Sequence, residues 1–223
     1  MGTLYLVRHG QASFGADDYD KLSPLGWQQA EALGRYWADR GMQFDAVIHG
    51  SLRRHVETWQ GIAKGAGLTL DPLVWPGLNE YDSAAVIEAI HAEPLGSADT
   101  PEKFRAHFRL LRDGLAQWMA GTVTPKGMPP YVDFVKGITD ALDHVRSKHV
   151  GSNVLLVSSG GPISTAVGHV LGLSPEKTID LNMRIRNSAV TEFQFNPKRH
   201  NLVTYNTIPH LDDLSKSSWI TYT

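Results

Sequence analysis

The chain has 223 residues, 42% of them hydrophobic, with a formal net charge of −2 and no cysteine. That length fits one large domain, or one carrying an inserted subdomain, and suffices for a sizeable core. The charge leaves no footprint for nucleic acid or an anionic membrane, no apolar run reaches bilayer-spanning length, and thiolate and disulfide chemistry are excluded.

Leu4, Tyr5, Leu6 and Val7 form a short apolar run rich in strand formers, bounded by Gly10, and predict a buried strand. It delivers Arg8 and His9 at its carboxyl end, where Gly10 is expected to let the backbone turn sharply. A polar loop over 11–21 follows. Ser23 and Pro24 then read as an N-cap and first helical residue, and Trp27, Ala30, Leu33, Tyr36 and Trp37 recur at helical spacing up to Gly41. Those aromatics are expected in the core. Residues 45–49 predict the second strand, and Ser51 is expected to cap a helix through Arg54, Thr58 and Ile62 to Gly65. Residues 68–70 predict a third strand, ended by Asp71 and Pro72. This alternation argues for a largely parallel sheet with helices on both faces.

From 74 to about 130 the pattern changes to short helical stretches, at 84–92 and 101–120, interrupted by Pro94, Gly96, Gly121, Pro125 and Gly127. We read it as a helical insertion covering one edge of the sheet, within a single domain spanning 1–223. Residues 131–149 predict an amphipathic helix with Phe134, Ile138, Leu142 and Val145 on one face. His144 and His149, five apart, are expected not to share a face, so no metal site is read there. Residues 154–157, the most apolar run, predict the central strand, followed by Ser158-Ser159-Gly160-Gly161-Pro162 and a helix to Gly172. Residues 187–195 and 201–205 predict a terminal antiparallel pair joined through Asn196 and Pro197, and the tail beyond Leu211 is expected to be loose. The expected fold is therefore a three-layer α/β/α sandwich, mostly parallel with an antiparallel edge, plus the insertion.

Three strand-to-helix turns converge on one rim of such a sheet: Arg8-His9-Gly10, the stretch from Ser51 to Thr58, and the Ser-Ser-Gly-Gly-Pro turn. Helix N-termini there offer free N–H groups to an anion, and Arg8 and Arg54 add two guanidinium forks able to bind phosphate oxygens bidentately. Such an arrangement suits a phosphoryl group. Arg53 reads instead as an exposed helix charge.

Together these motifs resemble the histidine phosphatase superfamily, the phosphoglycerate-mutase-like group. Arg8-His9-Gly10 matches its signature, and the stretch from Asp20 to Ala30 matches the segment that follows. Leu52, Arg54, Glu57 and Thr58 match the second arginine motif, Leu78-Asn79-Glu80 the acidic position, and 154–157 with Gly160-Gly161 the last motif. Asn206 through His210 and Leu211 resembles the closing segment. The resemblance implies phosphoryl transfer to His9, with Arg8 and Arg54 stabilising the non-bridging oxygens and Glu80 as general acid and base. It implies no cofactor and no metal. Gly10, Gln11, Ser159 and Gly160 are the candidate substrate-binding positions around it.

Two departures stand out. Serine occupies position 159, where the family carries its second histidine, and Gly15 stands about where it carries an asparagine. A serine donates one neutral hydrogen bond, about half as strong as a charge-assisted one. Losing such a donor costs on the order of a hundredfold in rate. His49 and His55 are expected to be ordinary surface or packing residues and not to replace it. Ser159 is not read as a nucleophile, because Ser-Ser-Gly-Gly lacks the G-x-S-x-G elbow.

The expected activity is hydrolysis of phosphate monoesters, the partner being a small phosphorylated molecule or a phosphoprotein. The stretch from Tyr81 to Ser83 lacks the basic substrate loop of the glycerate mutases, which argues against mutase action. The competing expectation is a phosphate-binding regulatory protein with little turnover, because of Ser159. No secretory signal is visible, so a cytoplasmic location is expected, and Leu6 stands where myristoylation needs Ser or Thr. A homodimer is expected only from the commonness of two-fold pairing.

Overall fold

Alternation of short apolar runs with amphipathic segments gives, in the computed structural model of the chain, a continuous α/β order. It describes residues 1–13, 20–93 and 100–222. The elements are β1 (Gly2–Arg8), α1 (Pro24–Ala38), β2 (Ala46–His49), α2 (Arg53–Ala66), β3 (Leu73–Val74), α3 (Ser83–Glu88) and α4 (Pro101–Met119). They continue with α5 (Tyr131–Lys148), β4 (Asn153–Ser158), α6 (Gly160–Leu171), α7 (Pro175–Asn182), β5 (Val190–Asn196) and β6 (Arg199–Thr207). Among the described residues the sheet has six strands in the order β3-β2-β4-β1-β5-β6. Its first four strands run parallel, and β5 and β6 form the antiparallel edge that the sequence predicts.

The pleat sends alternate residues of the two central strands to opposite faces. Leu4, Leu6, Val154 and Leu156 pack against Ile138, Leu142 and Val145 of α5 and Ile163 and Val167 of α6. Val7, Leu155 and Val157 pack against Ala30, Leu33 and Trp37 of α1 and Trp59 and Ile62 of α2. Each buried Leu, Ile or Val contributes about 1.5–3 kcal/mol relative to exposure, so the β1–β4 pair is the most strongly anchored part of the sheet. A third cluster joins Val86, Leu111, Leu115, Trp118 and Ile179, and Phe134 of α5 packs against both it and the first.

Helices α1, α4 and α7 share one start signal. Ser23, Thr100 and Ser174 each accept a hydrogen bond from an N–H of the first turn, and proline follows in each case. The signal at Ser174 and Pro175 announces α7, a helix that the sequence reading passed over. Helices α1 and α2 approach closely because Gly34 and Gly65 carry no side chain. A Cβ on either would lie 2.2 Å from a carbonyl oxygen of the other helix.

Several expectations need correction. The third strand is Leu73–Val74 and not 68–70, since only Leu73 and Val74 meet Ile48 and His49 of β2. Ser51 does not cap α2; Leu52 holds the cap position, and Asp20 accepts from the Arg53 N–H at 2.8 Å instead. Gly10 makes no left-handed turn. Its glycine is required by close approach, because a Cβ there would lie 2.4 Å from the Gly26 carbonyl oxygen. The tail is ordered into a 3₁₀ helix, Leu214–Trp219. His149, one residue past α5 with a non-helical backbone, brings its ring to 5.5 Å from that of His144. Gly15, Pro94 and Gly96 lie outside the described residues.

Candidate active site

Strand β1 ends at Arg8, which pairs with Ser158 of the neighbouring β4. The next residues, His9 and Ser159, therefore leave the sheet side by side. By alternation both point to the α1–α2 face, the side occupied by Val7 and Val157. His9 is buried. Its backbone carbonyl accepts from the Ser188 N–H at 3.2 Å and the Asn187 side-chain amide at 3.3 Å, tying the rim to the loop before β5.

The His9 ring is set in one tautomer. Nδ1 lies 2.7 Å from the Gly10 carbonyl oxygen, which can only accept, so the hydrogen sits on Nδ1 and Nε2 keeps its lone pair. Burial first, then the cations Arg8 and Arg54 and the neighbouring His55, hold this imidazole well below the ordinary histidine range. It is a neutral ring among guanidinium groups, with a bare nitrogen.

Arg8 donates from Nη1 to the Ile185 carbonyl at 2.6 Å and the Tyr222 carbonyl at 3.2 Å. The loop supplying Ile185 is in turn held by Asn206, whose side chain accepts from the Arg186 N–H and donates to the Arg184 carbonyl, both at 2.8 Å. Asn206 does so from a left-handed backbone, φ 57°, a conformation that asparagine tolerates better than most residues. Arg54, on the first turn of α2, is buried and pairs with Asp20 at 2.5 Å. Arg53 is exposed and pairs with Glu57 at 2.7 Å, as a helix-surface charge would.

Glu80 follows a 3₁₀ turn, Pro76–Leu78, and reaches the start of α6, where Oε2 accepts from the Gly161 N–H at 3.1 Å. The carboxylate comes this close because residue 161 is glycine; a Cβ there would lie 2.2 Å from Oε1. Burial raises the Glu80 carboxyl above its ordinary range, against the lowering pull of the Gly161 N–H, Arg54 and Arg8. The charges of Arg8 and Arg54 thus act on both His9 and Glu80, lowering each of them.

The remaining sequence candidates are placed as follows. The Gly10 N–H donates to Thr58 Oγ1 at 3.0 Å and the Gln11 N–H to Gln29 Oε1 at 2.8 Å, so both are engaged in holding the loop. Gln11 Oε1 accepts from Ser23 Oγ. Ser159 and Gly160 are buried at the head of α6, with Gly160 close to Asn182, Ile185 and Arg8. Sequence reasoning missed Asn187, which holds His9; Gln29 stood within the matched segment, but the donation of its buried amide to Trp219 and Thr221 of the tail did not show. Asp20 was visible as the start of a motif, but its pairing with Arg54 was not.

Residues 4–208 match the histidine phosphatase superfamily (branch 1). Among curated proteins, the chain is 32% identical over 136 residues to the serine/threonine-protein phosphatase PGAM5, mitochondrial, of Rattus norvegicus, covering 49% of this chain and 47% of that protein. The chain thus matches about half the length of that relative. It is 28% identical over 209 residues to a 2,3-bisphosphoglycerate-dependent phosphoglycerate mutase of Nitratidesulfovibrio vulgaris, covering 82% of this chain and 83% of that one. Among solved structures, a phosphoserine phosphatase mutant from Entamoeba histolytica in complex with phosphoserine shares the fold, with a TM-score of 0.65 at 20% identity, covering 95% of this chain and all of that one. A match running through β1, both arginine positions, Glu80 and the head of α6 is one conclusion with the geometry: the chain belongs to the histidine phosphatase superfamily, branch 1.

Proposed function

We propose that this protein hydrolyses phosphate monoesters through a phosphohistidine on His9. The observation that carries the reading is the His9 tautomer: its Nδ1–H is held by the Gly10 carbonyl, leaving a bare Nε2 flanked by Arg8 and Arg54. Nε2 attacks phosphorus in line with the ester oxygen, forming a P–N bond as the P–O bond breaks. Arg8 and Arg54 take the charge on the non-bridging oxygens, where positioning and electrostatics supply most of the catalysis of phosphoryl transfer. Glu80, with its carboxyl raised by burial, gives its proton to the departing alcohol. The resulting carboxylate then takes a proton from the water that cleaves the P–N bond, releasing inorganic phosphate and restoring both groups. Arg8, Arg54, His9 and Glu80 are the working set in this reading, with Ser159 and Gly160 lining the phosphoryl site.

The substrate is a small phosphorylated molecule or a phosphoprotein. Similarity to a protein named a serine/threonine-protein phosphatase supports hydrolysis, as does the absence of a basic loop in Tyr81-Asp82-Ser83. The test is release of inorganic phosphate from p-nitrophenyl phosphate and an alkyl phosphate, with a denaturing alkaline quench to trap a phosphoenzyme that is stable in alkali and lost in acid. The wild type is expected to release phosphate and carry label on His9, and His9→Ala to do neither. Turnover by His9→Ala, or the absence of a labelled histidine in an active wild type, overturns the mechanism.

A further inference from the structure

Ser159 holds the N-terminal cap position of α6, yet its side chain does not cap that helix. Its Oγ lies instead 2.7 Å from Nε2 of His55, on the first turn of α2. Both side chains are fully buried, and the His55 ring lies 5.9 Å from that of His9. The pair thus stands directly beside the group read above as the nucleophile.

The proton on this pair can be placed. His55 is neutral, because burial, Arg54 and His49 all hold its ring well below the ordinary range. Its Nδ1 is buried with no hydrogen-bond partner among the described residues and is pressed against Gly50, where an added Cβ would lie 2.2 Å away. A hydrogen on Nδ1 would be an orphaned buried donor, costing about 1–3 kcal/mol. An under-satisfied acceptor is tolerated more often than an orphaned N–H. The single ring hydrogen therefore sits on Nε2 and is donated to Ser159 Oγ. The hydroxyl hydrogen of Ser159 is left with no acceptor among the described residues, and the register of β1 with β4 turns that side chain to the same face as His9.

We infer that Ser159 and His55 form a two-residue hydrogen-bond donor for the phosphoryl group. Ser159 O–H touches a non-bridging oxygen, and His55 behind it fixes the hydroxyl. Ser159 is then a catalytic residue and His55 a positioning residue acting through it. The histidine absent from position 159 is answered by an imidazole on α2, and the small serine side chain leaves room for it. This reverses the expectation that His55 is only a packing residue. A hydroxyl that accepts a hydrogen bond is polarised as a donor, by about 10–30% in condensed-phase estimates. Its rotor is also already oriented before the substrate arrives. The inference rests on the phosphohistidine reading.

The test is a double-mutant cycle on kcat, KM and vanadate inhibition, with His9 labelling measured alongside. Ser159→Ala is expected to lose on the order of a hundredfold in kcat and in vanadate affinity with KM nearly unchanged, as for removal of one oxyanion donor. His55→Ala is expected to lose about tenfold in the wild-type background and nothing further in the Ser159→Ala background, the size of one hydrogen bond. His55→Gln keeps an amide N–H within a similar reach and is expected to recover part of the loss, which also covers failure of the alanine variant to fold. Equal losses in both backgrounds, or His55→Gln and His55→Ala matching the wild type, overturn the inference while labelled His9 leaves the phosphohistidine reading standing. No label and no turnover in the wild type overturn both.

Discussion

Replacing Gly161 by alanine displaces Glu80 without replacing a titrating group. The added methyl would lie 2.2 Å from Glu80 Oε1 and 2.5 Å from the Tyr81 ring. Ordinary van der Waals contact begins at 3.4 Å, so the carboxylate has to retreat by about 1 Å. It also gives up its seat on the Gly161 N–H. A displacement of about 1 Å in a catalytic group costs on the order of a hundredfold in rate, or about 2.7 kcal/mol in the barrier. The Tyr81 ring, packed against Trp118 and Phe134, has to shift as well, so a modest loss of stability is expected against the ~0.5–1 kcal/mol by which alanine favours a helix over glycine. The assay compares kcat/KM for an alkyl phosphate with kcat/KM for p-nitrophenyl phosphate, which reports phosphoryl transfer to His9 and not the later hydrolysis of the phosphoenzyme that both esters share. Only the alkyl ester needs its leaving oxygen protonated, so its kcat/KM is expected to fall about a hundredfold and that of the aryl ester much less. An equal fall for both esters at unchanged melting temperature refutes Glu80 as the acid, and no fall for either refutes the packing argument.

Two further outcomes follow from the buried polar groups. His9, His55, His200 and His210 are all held below the ordinary histidine value by burial first, His200 to about 4 and His210 to about 3. Unfolding lets each take a proton near pH 6.5, so stability is complete above that pH and declines as pH falls toward 4 and 3. Glu80, raised by burial, works in the opposite sense but is one group against five, since burial lowers His149 as well. Melting temperature is expected to drop steadily below pH 6.5, and a flat profile between 6.5 and 4 refutes this. Truncation after Ser218 removes both tail acceptors of Gln29, the Thr221 contacts of Asn187 and the Tyr222 acceptor of Arg8. Leaving the buried Gln29 amide unpartnered costs about 1–3 kcal/mol, and KM is expected to rise severalfold as Arg8 and Asn187 loosen. Unchanged melting temperature and KM refute that role of the tail.

Much of this architecture was readable from pattern because it is built from side-chain burial. The runs at 4–7 and 154–157 are buried on both faces, so they stand out as strands whatever surrounds them, and they place His9 and Ser159 on one rim. What escaped depends on backbone groups or on distant partners. Leu73–Val74 is only two residues long, below the reach of any period. The tail looked loose because it is polar, yet it is held by its main-chain carbonyls, which no side-chain pattern records. By residue type Gly10 suggests a turn, whereas it is the approach of Gly26 that needs the space. Ser159 and His55 are 104 positions apart, and each alone looks like an ordinary buried residue.

The seating of Arg8 bears on how proteolysis would act. Its guanidinium takes one of its acceptors from a carbonyl 214 positions away along the chain. A nick between Ser218 and Tyr222 would leave every recognisable motif in place, His9 and both arginines included, while freeing that support. Such nicked molecules are expected to hold a phosphoryl group less firmly although their signatures are intact.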